Sequence, residues 1–227
     1  MVRSAMTLAM AGFILTGCAG RTPPLPLAAV EPTVPEAPAP TGWRALATPI
    51  DRQRLALVTW LWPRALGSVP SRMKAKVRAE GALLSPDAAL ELPAPPPGPY
   101  HCRLVRLGGR AGIRSFAPDF CYVEGDSEKL SFTKTTGTTL PGGWLHPDTP
   151  TRLVFLGALP PAGGKDVPLY GEHPQQDVAA VVERVSPFRW RMVMTRGGPG
   201  SVLDIYELVP VPPEVPGAPA ALPAARS

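Results

Sequence analysis

Phe188-Arg189-Trp190-Arg191-Met192-Val193-Met194-Thr195 is the stretch whose pattern sets the fold class. In an extended chain, Phe188, Trp190, Met192 and Met194 share one face, and Arg189, Arg191 and Thr195 lie on the other. That period of two is what a strand with one buried face requires. The segment 129–135 repeats it, with Leu130 and Phe132 alternating with Ser131, Thr133 and Thr135. Further strand-length segments occur at 100–108, 116–124, 152–158, 178–185 and 202–209, most of them bounded by Gly, Pro, Asp or Ser. No helix-length pattern separates them, which argues against a parallel α/β sheet. The expectation is seven or eight antiparallel strands in a small barrel or strongly curled sheet, with a β-sandwich as the alternative.

Helices precede these strands, so the class is α+β. Thr48-Pro49-Ile50-Asp51 is a helix start, with a threonine cap, proline in the first turn and an acid three residues after the cap. Ile50, Leu55, Val58, Leu61 and Trp62 form its apolar stripe, and Pro63 is expected to end it. A second, basic helix spans 72–80 and stops at Gly81. Ser85-Pro86 is expected to cap a short third helix reaching about Leu92. Pro93-Ala94-Pro95-Pro96-Pro97-Gly98-Pro99 then breaks the chain.

The chain has 227 residues, of which 32 are proline and 22 glycine, yet 44% are apolar, which excludes a wholly disordered protein. A net charge of +5 is too small and too scattered to call for nucleic acid. Residues 1–17 have the character of an export signal, with Arg3 as the lone charge and an apolar run at 5–16 that is too short to span a membrane. The run ends in Leu15-Thr16-Gly17-Cys18, which resembles the lipobox of bacterial lipoproteins. That resemblance implies cleavage before Cys18 and acylation of its sulfur, anchoring the protein to a membrane that it does not span. Ala19 in the next position favours the outer membrane by the same resemblance.

Residues 18–41 form a proline-rich linker that biases towards extended polyproline II. The composition of residues 210–227 leads to the expectation of a disordered Pro/Ala-rich tail, which leaves 42–209 as the expected single globular domain. With Cys18 acylated, Cys102 and Cys121 remain as a pair in an oxidising compartment. Each sits in an expected strand, and a disulfide between them is the favoured reading. The rival is a thiol nucleophile served by His101, but neighbours in a strand point to opposite faces.

No constellation for catalysis emerges. Gly200-Ser201 lacks the spacing of a nucleophile elbow. There is no phosphate-binding loop, dinucleotide glycine fingerprint or zinc-protease helix. His146 and His173, with Asp148 and Glu172 nearby, match no standard metal pattern. Asp204 and Glu207 fall on opposite faces of one strand and cannot act as an acid–base pair. Arg103, Arg106, Arg110 and Arg114 read as a solvated hairpin edge before an anion-binding one. No catalytic residue, metal ligand or cofactor is therefore assigned.

Several blocks together resemble a family of exported bacterial proteins catalogued as domain of unknown function 4893. They are Gly98-Pro99-Tyr100-His101-Cys102-Arg103 with Leu107-Gly108, Phe120-Cys121, and Leu130-Ser131-Phe132-Thr133-Lys134 with Thr136-Gly137. Gly143-Trp144 and Arg152-Leu153-Val154-Phe155-Leu156-Gly157-Ala158 follow. Val181-Val182-Glu183-Arg184, Arg189-Trp190-Arg191 and Leu203-Asp204-Ile205-Tyr206-Glu207-Leu208 complete the set. The resemblance covers about 43–209 and implies an envelope or periplasmic setting, without an activity to transfer.

The leading functional expectation is a non-enzymatic module, lipid-anchored and facing the periplasm, that binds an envelope protein, a glycan or an apolar ligand. A protease-inhibitor-like barrel and a hydrolase with an unrecognised site are the alternatives. Protein extracted from membranes should have a mass that starts at an acylated Cys18. Cys18→Ser should leave the membrane fraction, and equal retention of that variant would refute lipidation.

Overall fold

Thr48 caps the main helix as its sequence requires, accepting the backbone N–H of Asp51 with Pro49 in the first turn. The computed structural model describes residues 41–126, 128–194 and 200–213, all within one compact unit. The signal segment, Cys18, nearly all of the linker 18–41 and the tail from 214 lie outside the described residues. Helices α1 (Trp43–Leu46), α2 (Pro49–Gly67) and α3 (Lys74–Ala79) lead into a 3-10 turn at Gly81–Leu84. No helix of the described residues is long and apolar enough to cross a membrane.

Three expectations for this region change. First, α2 continues through Pro63 to Gly67. Pro63 cannot donate to the carbonyl of Thr59, but Trp62 and Ala65 beside it are buried in the core, and their packing outweighs the lost bond. Second, Ile50 is exposed and Asp51 is buried. The Asp51 carboxylate accepts from Thr48 Oγ1 at 2.9 Å and Tyr170 Oη at 2.7 Å, and pairs with Arg54. Third, 85–92 is not a helix. The carbonyls of Ser85 and Pro86, which would begin its ladder, are taken by Arg191, and Leu90 bridges to Arg184.

Strands follow as β1 (Gly98–Leu107), β2 (Ile113–Ser115), β3 (Asp119–Gly125), β4 (Leu130–Lys134) and β5 (Gly142–Thr149). Then come β6 (Arg152–Ala158), β7 (Asp177–Ser186), β8 (Arg189–Met194) and β9 (Leu203–Pro210). Each of β3 to β8 pairs antiparallel with the next, β3 pairs with β1, and β9 returns to β1 through eight residue pairs, from Tyr100 opposite Pro210 to Leu107 opposite Leu203. The result is a closed eight-stranded up-and-down barrel, with β2 as a short extra strand on β1. This closure decides for the barrel over the sandwich. Two strands are missing from the sequence reading: the three-residue β2, and β5, whose Gly142, Gly143 and Pro147 hide its alternation.

The barrel interior is filled. Phe132 meets Phe155 edge-on at 5.9 Å, and Tyr100 meets Trp190 edge-on at 6.1 Å. Met192, Met194, Leu208 and the two cysteines pack with them. Phe188, expected on this face, lies beyond the end of β8 and is exposed. A second apolar cluster lies outside the barrel, where Val154, Leu156, Val181, Val193 and Ile205 meet Leu55, Val58, Trp62 and Ala65 of α2. Two buried faces explain why β6 and β7 read as near-continuous apolar runs.

Arg191 fastens the helical front to the barrel. Its side chain is 1% exposed, stacked 4.5 Å from the Trp62 ring. Its Nε donates to Glu183 at 2.7 Å, and Nη1 and Nη2 donate to the carbonyls of Ala82, Leu83, Ser85 and Pro86. Burial lowers its pKa and the Glu183 charge opposes that shift. Beside it, Arg103 donates through both Nη atoms to Glu80 (2.9 and 2.6 Å) and through Nε to Glu207. The Arg103 hydrogen bond chiefly holds the Glu80 carboxyl below its usual range, against the opposing effect of burial.

Cys102 in β1 and Cys121 in β3 form the expected disulfide, with Cα atoms 5.9 Å apart. The bridge closes a loop of 19 residues, so reducing it should lower stability by about 3 kcal/mol in the chain-entropy model. Urea unfolding with and without reductant measures this, and an unchanged midpoint would contradict it.

Candidate functional site

The structure disperses the polar residues that the sequence offered as chemistry. Cys102 is in the disulfide, and His101 lies on the opposite, outer face, 5.1 Å from the Phe120 ring. His146 is in β5 rather than a loop, and burial lowers its pKa. Glu172 accepts the backbone N–H of Leu169. Asp204 pairs with Arg106, and Glu207 with Arg103 and Arg189. The arginine run is not one solvated edge: Arg103 and Arg106 are half-buried in those pairs, and only Arg110 and Arg114 are exposed. Among the described residues, no group of three or more His, Cys, Asp or Glu is placed to hold a metal.

A filled barrel directs attention to its ends. At one of them the proline-rich segment read as a break has a structural role. Leu90 pairs with Arg184 of β7, and the Leu92 N–H donates to Pro150 in the β5–β6 turn at 3.1 Å. The chain then enters β1 at Gly98. In the ring order, the β5–β6 turn and β1 stand on opposite sides, so residues 93–97 cross the mouth as a strap. Six steps of polyproline chain reach about 19 Å at ~3.1 Å each, a span suited to an eight-stranded barrel. Pro93 and Pro95 are buried, whereas Ala94 and Pro96 are exposed.

The strap is held at both ends under different constraints. Tyr100 Oη donates to the Pro96 carbonyl at 2.5 Å. Burial pushes the Tyr100 phenol up to about 12, so it remains a protonated donor at neutral pH. At the other end Leu92 is 75% exposed and has φ 58°. A bulky residue in the left-handed region is strained by roughly 1–3 kcal/mol.

Between the strap and the β7–β8 turn lies a half-open pocket of about 360 Å³. Its walls are mostly apolar and include Pro96, Pro99, Phe188 and Val211, with Tyr100 and Trp190 also lining it. Phe188 is 74% exposed. Two buried donors of the lining, Trp190 Nε1 and Arg184 Nε, lack a hydrogen-bond partner among the described residues. A buried donor left unpaired costs about 1–3 kcal/mol. Among the described residues the Arg184 guanidinium also has no carboxylate partner; its Nη2 donates to the Glu91 carbonyl. An apolar cleft with a few unsatisfied polar groups has the composition of a small-molecule site.

A family model described as "Domain of unknown function (DUF4893)" matches residues 43–208. No curated protein and no solved structure matches the chain.

Tyr100→Phe removes one hydrogen bond and keeps the ring. It should cost about 0.5–1.5 kcal/mol and raise amide exchange at Leu92, whose N–H donates to Pro150 where the strap begins. Unchanged exchange there would show that the strap is held by other contacts.

Proposed function

The chain belongs to the domain of unknown function 4893 family, and we propose that it acts as a non-enzymatic binding module tethered to the bacterial envelope. The ligand is an apolar molecule bearing one oxygen acceptor, a carboxylate before a carbonyl. The observation that carries this reading is the pocket under the strap, whose apolar walls coincide with the unpaired Trp190 Nε1 and Arg184 Nε. The apolar body would cover Phe188 and the proline faces, at roughly 25 cal/mol per Å² removed from water. Its oxygen would take the two N–H groups, removing the desolvation penalty that they carry unpaired. The Arg184 charge favours an anionic oxygen.

The setting rests on the N-terminal sequence. Leu15-Thr16-Gly17-Cys18 supports a lipid anchor facing the periplasm, with the outer membrane as its destination. A proline-rich linker over 18–41 suits a domain held away from the bilayer at a variable distance. Binding at the end of a rigid barrel needs no rearrangement of the core, only displacement at the strap and at Phe188.

Calorimetric titration with a straight-chain monocarboxylate such as decanoate tests the assignment. Trp190→Phe keeps the ring and removes the donor, and should weaken binding about tenfold, or ~1.4 kcal/mol. Phe188→Ser, at an exposed position, should weaken it without lowering the melting temperature. Absence of binding, or binding indifferent to both substitutions, would refute the site.

A further inference from the structure

A second groove, with no lining residue in common with the first, lies between α2 and the outer flank of the barrel. Its volume is about 260 Å³. Arg44, Arg52, Arg152 and Thr59 line it beside Val154 and Val181. Three guanidinium groups thus come from three elements: α1, α2 and β6. Among the described residues one carboxylate answers them. Asp148, whose side chain is 1% exposed, accepts from Trp43 Nε1 at 2.8 Å and Arg152 Nε at 2.6 Å, and pairs with Arg44 at 3.2 Å.

Arg52 has no carboxylate partner among the described residues. Its Nη1 donates to the carbonyls of Arg44 and Ala47 at 2.8 and 2.7 Å. These contacts fix the guanidinium planes without neutralising them. Against Asp148, the three arginines leave an excess of two positive charges. Arg44 Nε and Nη2, Arg52 Nε and Nη2, and Arg152 Nη1 have no acceptor among the described residues. Arginine forks match the geometry of planar or tetrahedral oxyanions. An apolar floor of Val154 and Val181 reduces solvent screening on one side of such a ligand.

We propose that this groove binds an oxyanion, a carboxylate or phosphate group, held by Arg44, Arg52 and Arg152. Asp148 is a positioning residue: it orients two of the three cations and keeps them from collapsing into the groove. The group can belong to a soluble molecule or to a phospholipid headgroup, and the two sources separate experimentally.

The test titrates the full chain with inorganic phosphate up to about 20 mM, and separately with vesicles of phosphatidylcholine containing phosphatidylglycerol. The vesicle arm uses Cys18→Ser protein, so that no acyl chain contributes. Arg44→Gln, on a side chain 51% exposed, and Arg52→Gln should each weaken binding about tenfold. Arg110→Gln, on the exposed β1–β2 turn, should leave it unchanged. Melting temperatures of the variants establish that they are folded. Phosphate binding without vesicle binding identifies a soluble oxyanion, and vesicle binding lost in the same two variants identifies a headgroup. Binding to neither probe, or binding that survives both groove substitutions or falls equally in Arg110→Gln, overturns the proposal.

Discussion

The eight residue pairs that join β9 to β1 are the constraint from which the rest of the architecture follows. They convert a meander of strands into a ring without edges, so the main-chain groups of β1 and β9 are paired with each other rather than left open to association. Closure at eight strands gives an interior just wide enough for side chains. Phe132, Phe155, Tyr100, Trp190 and the methionines occupy it. Ligand chemistry is thereby displaced from the middle of the barrel to its ends and its outer surface.

The same closure creates a problem outside. One flank of the ring, from β6 through β9 to β1, is apolar on its outer face as well, and α2 with the turns after it covers that flank. Apolar packing alone does not specify how such a cover sits. Arg191 supplies direction: a buried guanidinium whose donors meet Glu183 and four carbonyls of the covering segment has few equivalent positions. Replacing a buried pair with apolar groups is often neutral for stability, whereas removing one partner is costly. Its value is best read as specificity of docking. Glu80, Arg103, Glu207 and Arg189 extend the same seam.

Most strands, the capped helix and the disulfide were legible in the sequence because each follows from local pattern. Alternation at 188–195 and 130–135 located β8 and β4, and Thr48 to Asp51 located the start of α2. What was not legible depended on partners distant in sequence. Arg191 lay on the polar face of its strand and read as solvent-facing, although segment 82–86 covers it. The carbonyls that it captures prevented the helix expected after Ser85. The strap at 93–97 read as a break because proline suppresses both periods, and its role depends on Pro150 and Gly98 lying on opposite sides of a ring. Neither groove had a sequence motif, since Arg44, Arg52 and Arg152 converge only after the front has docked.

Both candidate sites are consequences of covering and capping the barrel, one where the strap crosses its mouth and one where α2 lies along its side. A filled core with ligand taken at the capped end is the central claim. A crystal structure of the protein with a bound apolar monocarboxylate tests it most directly. The account predicts ligand density between Phe188 and the strap, with its carboxylate within hydrogen-bonding distance of Trp190 Nε1 and Arg184 Nε, and Phe132 and Phe155 unmoved. Density inside the barrel, with those two rings displaced, would contradict it.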